Sequence, residues 1–196
     1  MHTAFFLGMT YTMTMEFASR AGNKLQAALT EFNIAVSGHV CADFGSSTGG
    51  FVDCLLQNGA IKVYSVDTSY GELAWKLRND PKVVVLERTN AMHVMLPEKV
   101  DLITVDVAWT KQEKVLPNVF RNLKENGIVI SLIKPHYEAK REELQKGRVK
   151  DEAIDQVLDR VKNDISMSDG EVVRIIESPI LGERGKNKEF LAWITK

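Results

Sequence analysis

A glycine-rich turn is the part of this sequence whose residue types most clearly suggest chemistry. It lies between a short apolar run, VCADF, and a second apolar run with helical spacing. A turn of this kind lets a ligand approach the backbone at the carboxyl end of a strand, near a helix N-terminus. We therefore predict a nucleotide-type ligand here, with a merely tight turn as the alternative. The predicted ligand-binding residues are Asp43, Gly45, Ser46, Ser47, Thr48, Gly49, Gly50 and Phe51.

The spacing of this turn narrows the choice of ligand. The glycines at 45, 49 and 50 do not match the G-x-G-x-x-G pattern that seats a pyrophosphate. The next apolar run, IKVYSV, ends at Asp67. An acid about twenty residues after the turn suits the hydroxyls of a ribose. Adenosine without a pyrophosphate favours S-adenosylmethionine, and a dinucleotide is the weaker candidate.

Two further charged residues stand where apolar runs stop. Asp106 follows LITV, and Lys134 follows ISLI. Taken singly, the aspartate can cap a helix and the lysine can be a solvated strand end. Adjacent strands, however, would bring both over the cofactor, so the pair is more informative than either member. Lys24 and Glu189 are weaker signals, because lysine in a helix and glutamate after a loop are usually surface residues.

The elements that must position these residues alternate along the chain. Strand-like apolar runs alternate with amphipathic stretches and end in two strands, which predicts an α/β fold with a doubly wound, mostly parallel sheet. We expect its last strand to be antiparallel. Helices are predicted over GELAWKLRND and EKVLPNVFRNLKENG, and a polar helical region over 138–166. Trp75 and Trp193 are predicted to lie in the core.

Composition sets limits on the function. With 196 residues, 44% of them hydrophobic, the chain can bury one core, and we expect a loosely held extension at 1–18 and one domain at 19–196. The net charge of −1 means that nucleic-acid binding must rest on a local basic patch. Cys41 and Cys54 have no metal-ligand spacing, so we predict no metal, reduced core cysteines and a cytoplasmic location. No apolar run reaches membrane-spanning length, so no membrane partner is expected.

Longer stretches of the chain resemble a known family. They run from about Ser19 to the C-terminus, and two of them, DFGSSTGGFVDCLLQNGA and VYSVDTSYGELAWKLRNDPKVVVLERTN, are highly specific. The shorter ones are SRAGNKL, DVAW, KPHYEA and SPILGERGKNKEFLAWI. Together they resemble the FtsJ-type ribose 2′-O-methyltransferases, most closely the TlyA-like (hemolysin A) branch. The segment Val107–Thr110 and the extra Lys186 depart from that branch's pattern.

The resemblance implies a Rossmann-like methyltransferase fold with S-adenosylmethionine as cofactor and RNA, especially ribosomal RNA, as substrate. The family's four catalytic residues fall on Lys24, Asp106, Lys134 and Glu189. Its cofactor site falls on the glycine-rich turn, with further positions at Asp67 and Thr68 near the ribose, Asn90 near the adenine, and Asp106. An S-adenosylmethionine-binding module without catalytic activity, working in an RNA–protein assembly, is the alternative function.

The implied reaction places demands on the lysines. A lysine can accept a proton only if its pKa falls, and a neighbouring cation lowers it. We therefore expect Lys24 and the cofactor's sulfonium to lower the pKa of Lys134. Asp106 would oppose this shift but orient the lysine and the hydroxyl, and Glu189 would hold Lys24 or the ribose.

RNA also needs a basic approach surface. Members of this branch usually carry a small RNA-binding domain ahead of the catalytic one, and no such segment is expected here, so a helper protein or a ribosomal subunit is an expected partner. We predict a basic rim beside the active face, with a solvated helix as the alternative. Trp109, His136 and Tyr137 could stack on a base. The predicted rim residues are Lys140, Arg141, Lys146, Arg148, Lys150, Arg184, Lys186 and Lys188.

Overall fold

A seven-stranded sheet forms the centre of the molecule. The structure is a computed structural model that describes residues 16–182 and 186–196. The strands of the sheet are β1 (Val40–Phe44), β2 (Lys62–Val66), β3 (Val83–Leu86), β4 (Val100–Val105), β5 (Leu123–Ile133), β8 (Glu171–Glu177) and β9 (Phe190–Thr195), and a separate hairpin consists of β6 (Leu144–Gln145) and β7 (Arg148–Val149).

The order of the strands across the sheet is β3-β2-β1-β4-β5-β9-β8. The first five strands pair in parallel, whereas β9 pairs antiparallel to both β5 and β8. The mostly parallel sheet and the antiparallel last strand are therefore confirmed. Because neighbours β1 and β4 lead to opposite halves of the sheet, the carboxyl ends of these two strands mark the place where such folds bind ligands.

Helices cover both faces of the sheet. On one face, α1 (Ala21–Phe32) and α2 (Gly50–Gln57) pack on β1, β2, β5 and β9 in one apolar cluster. On the other face, α4 (Gln112–Asn122) and α6 (Ile154–Ser166) complete a second cluster. The strands are buried on both sides, as parallel sheets require. The single-turn helices are α3 (Trp75–Arg78) and α5 (Pro135–Glu138).

Several boundaries differ from the predictions. The helix predicted through Gly127 ends at Asn122, because β5 begins at Leu123 and pairs with Val100. The region 138–166 is helical only in short turns before α6, with the β6–β7 hairpin between them. Of the helix predicted over GELAWKLRND only α3 forms, and Trp75 is 77% exposed, so its core assignment was wrong.

The predicted N-terminal extension is described only in part. Residues 1–15 lie outside the described residues. Phe17 is buried in the cluster beneath α1, and the Ala18 N–H donates to the Asp53 carboxylate at 2.7 Å, so both residues pack on the domain although the prediction placed them in the extension. Cys41 and Cys54 are buried and free, as predicted. In the described part of the chain no helix combines the length and the apolar character needed to cross a membrane.

The contact between α1 and α2 depends on a glycine. A Cβ added at Gly50 would overlap the Ser19 side chain and come within 2.9 Å of the Gly22 backbone nitrogen. The two helices can therefore approach this closely only because residue 50 has no side chain. Since Lys24 lies on α1, this contact also helps to place a predicted catalytic residue.

Gly50→Ala should lower the free energy of unfolding by about 1–3 kcal/mol, the usual cost of overpacking. Gly71→Ala is the matched control, because Gly71 has a positive φ of 79° but nothing within 4 Å of an added Cβ. Its expected cost is only the backbone strain of about 1 kcal/mol. Urea denaturation of both variants measures the two costs, and a Gly50→Ala variant as stable as the wild type would show that the helix contact does not need the glycine.

Candidate active site

Asp43 forms the buried floor of the site. It is 1% exposed near the end of β1, and its Oδ1 accepts a hydrogen bond from Thr104 Oγ1 at 2.7 Å. Its Oδ2 has no hydrogen-bond partner among the described residues. Burial raises the pKa of Asp43 to about 7. A buried acceptor without a protein donor is a position where a ligand donor fits.

The glycine-rich turn lets two backbones meet. Gly45 has a φ of 95°, and a Cβ there would lie 2.5 Å from the Asp106 carbonyl oxygen. No larger residue fits this approach between the ends of β1 and β4. Residue 49 must be small for a different reason, because a Cβ there would overlap the Leu73 and Leu77 side chains in the core. Glycine at this position therefore allows the core leucines to pack, and it does not make room for a ligand.

Asp67, at the end of β2, organises the loops around it. Its Oδ2 accepts a hydrogen bond from the Ser47 N–H at 2.7 Å. Its Oδ1 accepts bonds from Ser69, from the backbone N–H at 2.8 Å and from the hydroxyl at 2.7 Å. The carboxylate is thereby fixed between the glycine-rich turn and the next loop, and it borders a cavity.

Two lysine–carboxylate pairs face each other across the cleft. Lys134 Nζ lies 2.5 Å from Asp106 Oδ1, and Lys24 Nζ lies 2.5 Å from Glu189 Oε2. Lys24 and Glu189 are 7% and 4% exposed, and they join α1 to the residue just before β9. All four predicted catalytic residues border one cavity of about 770 Å³. Their roles remain a proposal.

The electrostatics of Lys134 differ from our expectation. Burial acts to lower the pKa of Lys134, but the adjacent Asp106 carboxylate outweighs it, and the pKa lies above its ordinary value. Lys24 does not lower it, since Lys24 is paired with Glu189. The predicted lowering of the Lys134 pKa by Lys24 is therefore wrong. Lys134 is a protonated ammonium at neutral pH.

A second cavity of about 340 Å³ adjoins the first. Both are bordered by Gly45, Ser47 and Asp106, so they form two ends of one cleft. Of the predicted cofactor residues, all but Gly49 border one cavity or the other. The first cavity is lined by Asp43, Ser46, Thr48, Gly50 and Phe51, and the second is lined by Asp67, Thr68 and Asn90.

Aromatic side chains line the mouth of this cleft. Trp109 is 78% exposed, and its ring centroid lies 5.0 Å from that of Tyr137. His136 lies against Tyr137 at 4.2 Å, and burial together with the Lys134 charge lowers the pKa of His136. Trp109 also has a φ of 59°, a left-handed conformation that is a genuine outlier for a bulky residue. The backbone strain indicates that the position of the indole matters.

Comparison with known proteins identifies the family. The FtsJ-like methyltransferase profile matches residues 17–196. The chain belongs to this family. Hemolysin A of Brachyspira hyodysenteriae is 40% identical over 185 residues, which cover 91% of this chain and 76% of that protein. The 16S/23S rRNA (cytidine-2′-O)-methyltransferase TlyA of Mycobacterium tuberculosis is 43% identical over 137 residues, 68% of this chain and 51% of that one.

Solved structures agree on the fold. A provisionally named hemolysin from Streptococcus thermophilus superposes with a TM-score of 0.89 at 35% identity, covering 94% of this chain and 69% of that one. Aeropyrum pernix fibrillarin, solved with natively bound S-adenosyl-L-methionine, has a TM-score of 0.63 at 17% identity and covers 88% of this chain and 74% of that one. At that identity the second likeness shows the Rossmann-like methyltransferase fold alone.

The residues of the cleft fit S-adenosylmethionine, the cofactor of this methyltransferase. The unpartnered Asp43 Oδ2 would accept a hydrogen bond from its amino group. Asp67 would hold the ribose hydroxyls, and Asn90 lies in the same cavity. Gly45 lets the turn pack against the Asp106 backbone where the two ends of the cleft meet.

Some residues of the site escaped sequence reasoning. Ser69 follows Asp67 by two positions, which is a recognisable signal, because aspartate often binds the backbone N–H two residues on. Thr104, the donor to Asp43, lies on another strand and leaves no local signal. The left-handed backbone of Trp109 likewise follows from tertiary structure.

Asp67→Ala should weaken S-adenosylmethionine binding by roughly 1.5–3 kcal/mol, the range for hydrogen bonds to a charged group. Asp80→Ala is a matched control, because the Asp80 carboxylate likewise accepts a hydrogen bond from the backbone N–H two residues on, that of Lys82 at 2.8 Å, but lies before β3, at the end of the sheet opposite the cleft. Calorimetry should find full cofactor affinity in the control. Unchanged affinity in Asp67→Ala, or preferential binding of NAD, would overturn the assignment.

Proposed function

We propose that this protein transfers a methyl group from S-adenosylmethionine to a ribose 2′-hydroxyl of RNA, with ribosomal RNA as the substrate class. The observation that carries the proposal is the Lys134–Asp106 pair at the cleft, opposite Lys24–Glu189. The names of the TlyA relatives support both the ribose hydroxyl and ribosomal RNA. The chain spans 76% of one relative and half of another, so the substrate is inferred from the site as well as from the names.

Lys134 is the candidate general base. When bound, S-adenosylmethionine supplies a methyl group already activated on a sulfonium. Positioning the hydroxyl in line with it then supplies much of the rate. Lys134 Nζ, held by Asp106 and lying 3.4 Å from the Val107 carbonyl oxygen, must first lose its own proton to solvent water. It then accepts the proton of the ribose hydroxyl, and Asp106 stabilises the ammonium that forms.

The second ion pair has a positioning role in this mechanism. Lys24 and Glu189 satisfy each other, and both border the cavity that contains Lys134. Their buried charges make the wall of the cleft polar without adding a net charge. A ribose placed there meets donors from Lys24 and acceptors from Glu189. The pair can therefore orient the hydroxyls while Lys134 handles the proton.

Lys134→Ala should reduce methyl transfer by on the order of a hundredfold or more, the scale of general-base catalysis, while cofactor affinity stays nearly intact. Lys134→Arg should also fail, since arginine does not release its proton. Because Asp106 holds the pKa of Lys134 above its ordinary value, the wild-type rate should rise steadily as the pH is raised from neutral. Lys114→Ala, at an exposed position on α4, should leave the rate unchanged.

The assay for this prediction uses labelled S-adenosylmethionine with ribosomal RNA or ribosomal subunits, followed by mapping of modified riboses. Full activity in Lys134→Ala would remove Lys134 from the mechanism. Methylation on a base, or on protein, would overturn the proposed reaction. Binding of RNA with no methyl group added to any tested RNA would favour the inactive binding module.

Trp109 and Tyr137 are positioned to hold the target base. Their rings pack together at the mouth of the cleft, and the Tyr137 ring lies 5.9 Å from Lys134 Nζ. Stacking on an exposed aromatic is the usual way in which proteins hold an unpaired RNA base. A base held here would keep its ribose near the candidate general base.

Trp109→Ala should raise the KM for RNA about 5- to 150-fold, since stacking contributes about 1–3 kcal/mol per base, and Trp109→Phe should restore most of the affinity. Trp75→Ala is a matched control, because Trp75 is exposed to the same degree, at 77% against 78%. Steady-state kinetics with varied RNA measures both. A changed cofactor affinity with an unchanged KM for RNA would instead place the indole over the cofactor.

A further inference from the structure

A basic groove lies beside the active-site cleft. It encloses about 780 Å³ and is bordered by Pro135, the residue after Lys134. Five cationic side chains line it, from two segments of the chain that the sequence separates by more than thirty residues. They are Lys146, Arg148 and Lys150 on one side and Lys186 and Lys188 on the other. Of the other predicted rim residues, Lys140 and Arg141 do not line it, and Arg184 lies outside the described residues.

Asn187 brings the two segments together. Lys146 and Gly147 form the tip of the β6–β7 hairpin, with φ values of 51° and 77°. The Asn187 side chain is buried between its two lysine neighbours and donates a hydrogen bond from Nδ2 to the Gly147 carbonyl oxygen at 3.3 Å. The backbone carbonyl oxygen of Asn187 accepts the Gly182 N–H at 2.9 Å. One residue thus links the hairpin to the loop that leads directly to Glu189.

The charge in the groove is nearly unopposed. Among the described residues that line it, the single acid is Asp151, which is 88% exposed and lies 3.8 Å from Lys188. The whole chain has a formal net charge of −1. Positive charge is therefore concentrated in the groove, whereas the rest of the molecule carries a net negative charge. Cations on both walls of an open groove suit a linear polyanion more than a single small anion.

We propose that this groove binds the phosphate backbone of the RNA strand that carries the target ribose, and that Asn187 is a positioning residue that holds its two walls together. The proposal rests on the proposed function, since it places the strand next to Lys134 and Glu189. The groove accounts for RNA binding by a chain without an overall positive charge. It adds to the stacking site at Trp109, because phosphate contacts position a strand and carry no sequence information.

The first test reverses charge in the groove. Lys146→Glu combined with Arg148→Glu should weaken binding of a ribosomal RNA fragment and make the log–log salt dependence less steep, by about 0.7 for each phosphate that the variant no longer neutralises. Lys82→Glu combined with Lys99→Glu changes the net charge by the same amount at two exposed positions that precede β3 and β4, at the amino-terminal ends of these parallel strands and so away from the cleft. Fluorescence anisotropy over a salt series should find much smaller changes in this control.

The second test removes the link without changing charge. Asn187→Ala should flatten the salt dependence and weaken RNA binding, although it removes no cation. Asn187→Leu, which is similar in size and also uncharged but cannot donate to the Gly147 carbonyl, should also bind RNA weakly. Calorimetry of S-adenosylmethionine on the same samples checks that the cleft is intact. A merely structural effect would lower both affinities together and leave the salt slope as in the wild type.

The outcomes of these tests distinguish a failure of the proposed RNA-binding groove from a failure of the proposed methyl transfer. Equal RNA binding by the groove reversal and its control would overturn the groove, whatever the methylation assay shows. A groove that binds polyglutamate more tightly than RNA would also overturn it, in favour of an acidic protein partner. If RNA binds through the groove with the expected salt dependence but no ribose is methylated, the groove proposal holds and the proposed function is overturned.

Discussion

The buried ion pair between Lys24 and Glu189 is the interaction on which the arrangement of the cleft depends. It joins α1, at the start of the described chain, to the residue before β9, across 165 positions of sequence. Removal of one partner would leave a buried charge uncompensated, which usually costs about 3–5 kcal/mol. The pair therefore couples the position of the first helix to the insertion of β9 into the sheet. Asn187 lies only two residues before Glu189 in the sequence.

Two carboxylates of the cleft are offset by lysines, and a third is partly protonated. Lys134 offsets Asp106, Lys24 offsets Glu189, and Asp43 has a pKa of about 7, so it is partly protonated at neutral pH. A cation placed beside Asp43 stabilises its carboxylate form. We therefore expect binding of a positively charged cofactor to be accompanied by loss of a proton from Asp43.

The sequence alone was enough to predict the parts of the site whose residues lie close together in the chain or at the ends of strands. The strand, glycine turn and helix around Gly45 lie within one short stretch, and strand ends mark Asp67, Asp106 and Lys134. What could not be predicted depends on tertiary contacts. The start of β5 at Leu123 follows from its pairing with β4, although its residues are polar enough to suggest the end of a helix. The contact between Asn187 and the hairpin spans 40 positions and leaves no local pattern.

The place of β9 in the sheet has a consequence for the order of assembly during protein synthesis. This strand follows all others along the chain, yet it lies between β5 and β8, and β8 pairs with no other described strand. Chains emerge from the ribosome N-terminal end first. The half of the sheet with β1 to β4 can form early, whereas β8 must wait for β9. Since Glu189 arrives with β9, the nascent chain acquires the glycine-rich turn and Asp67 before it has all four of the predicted catalytic residues.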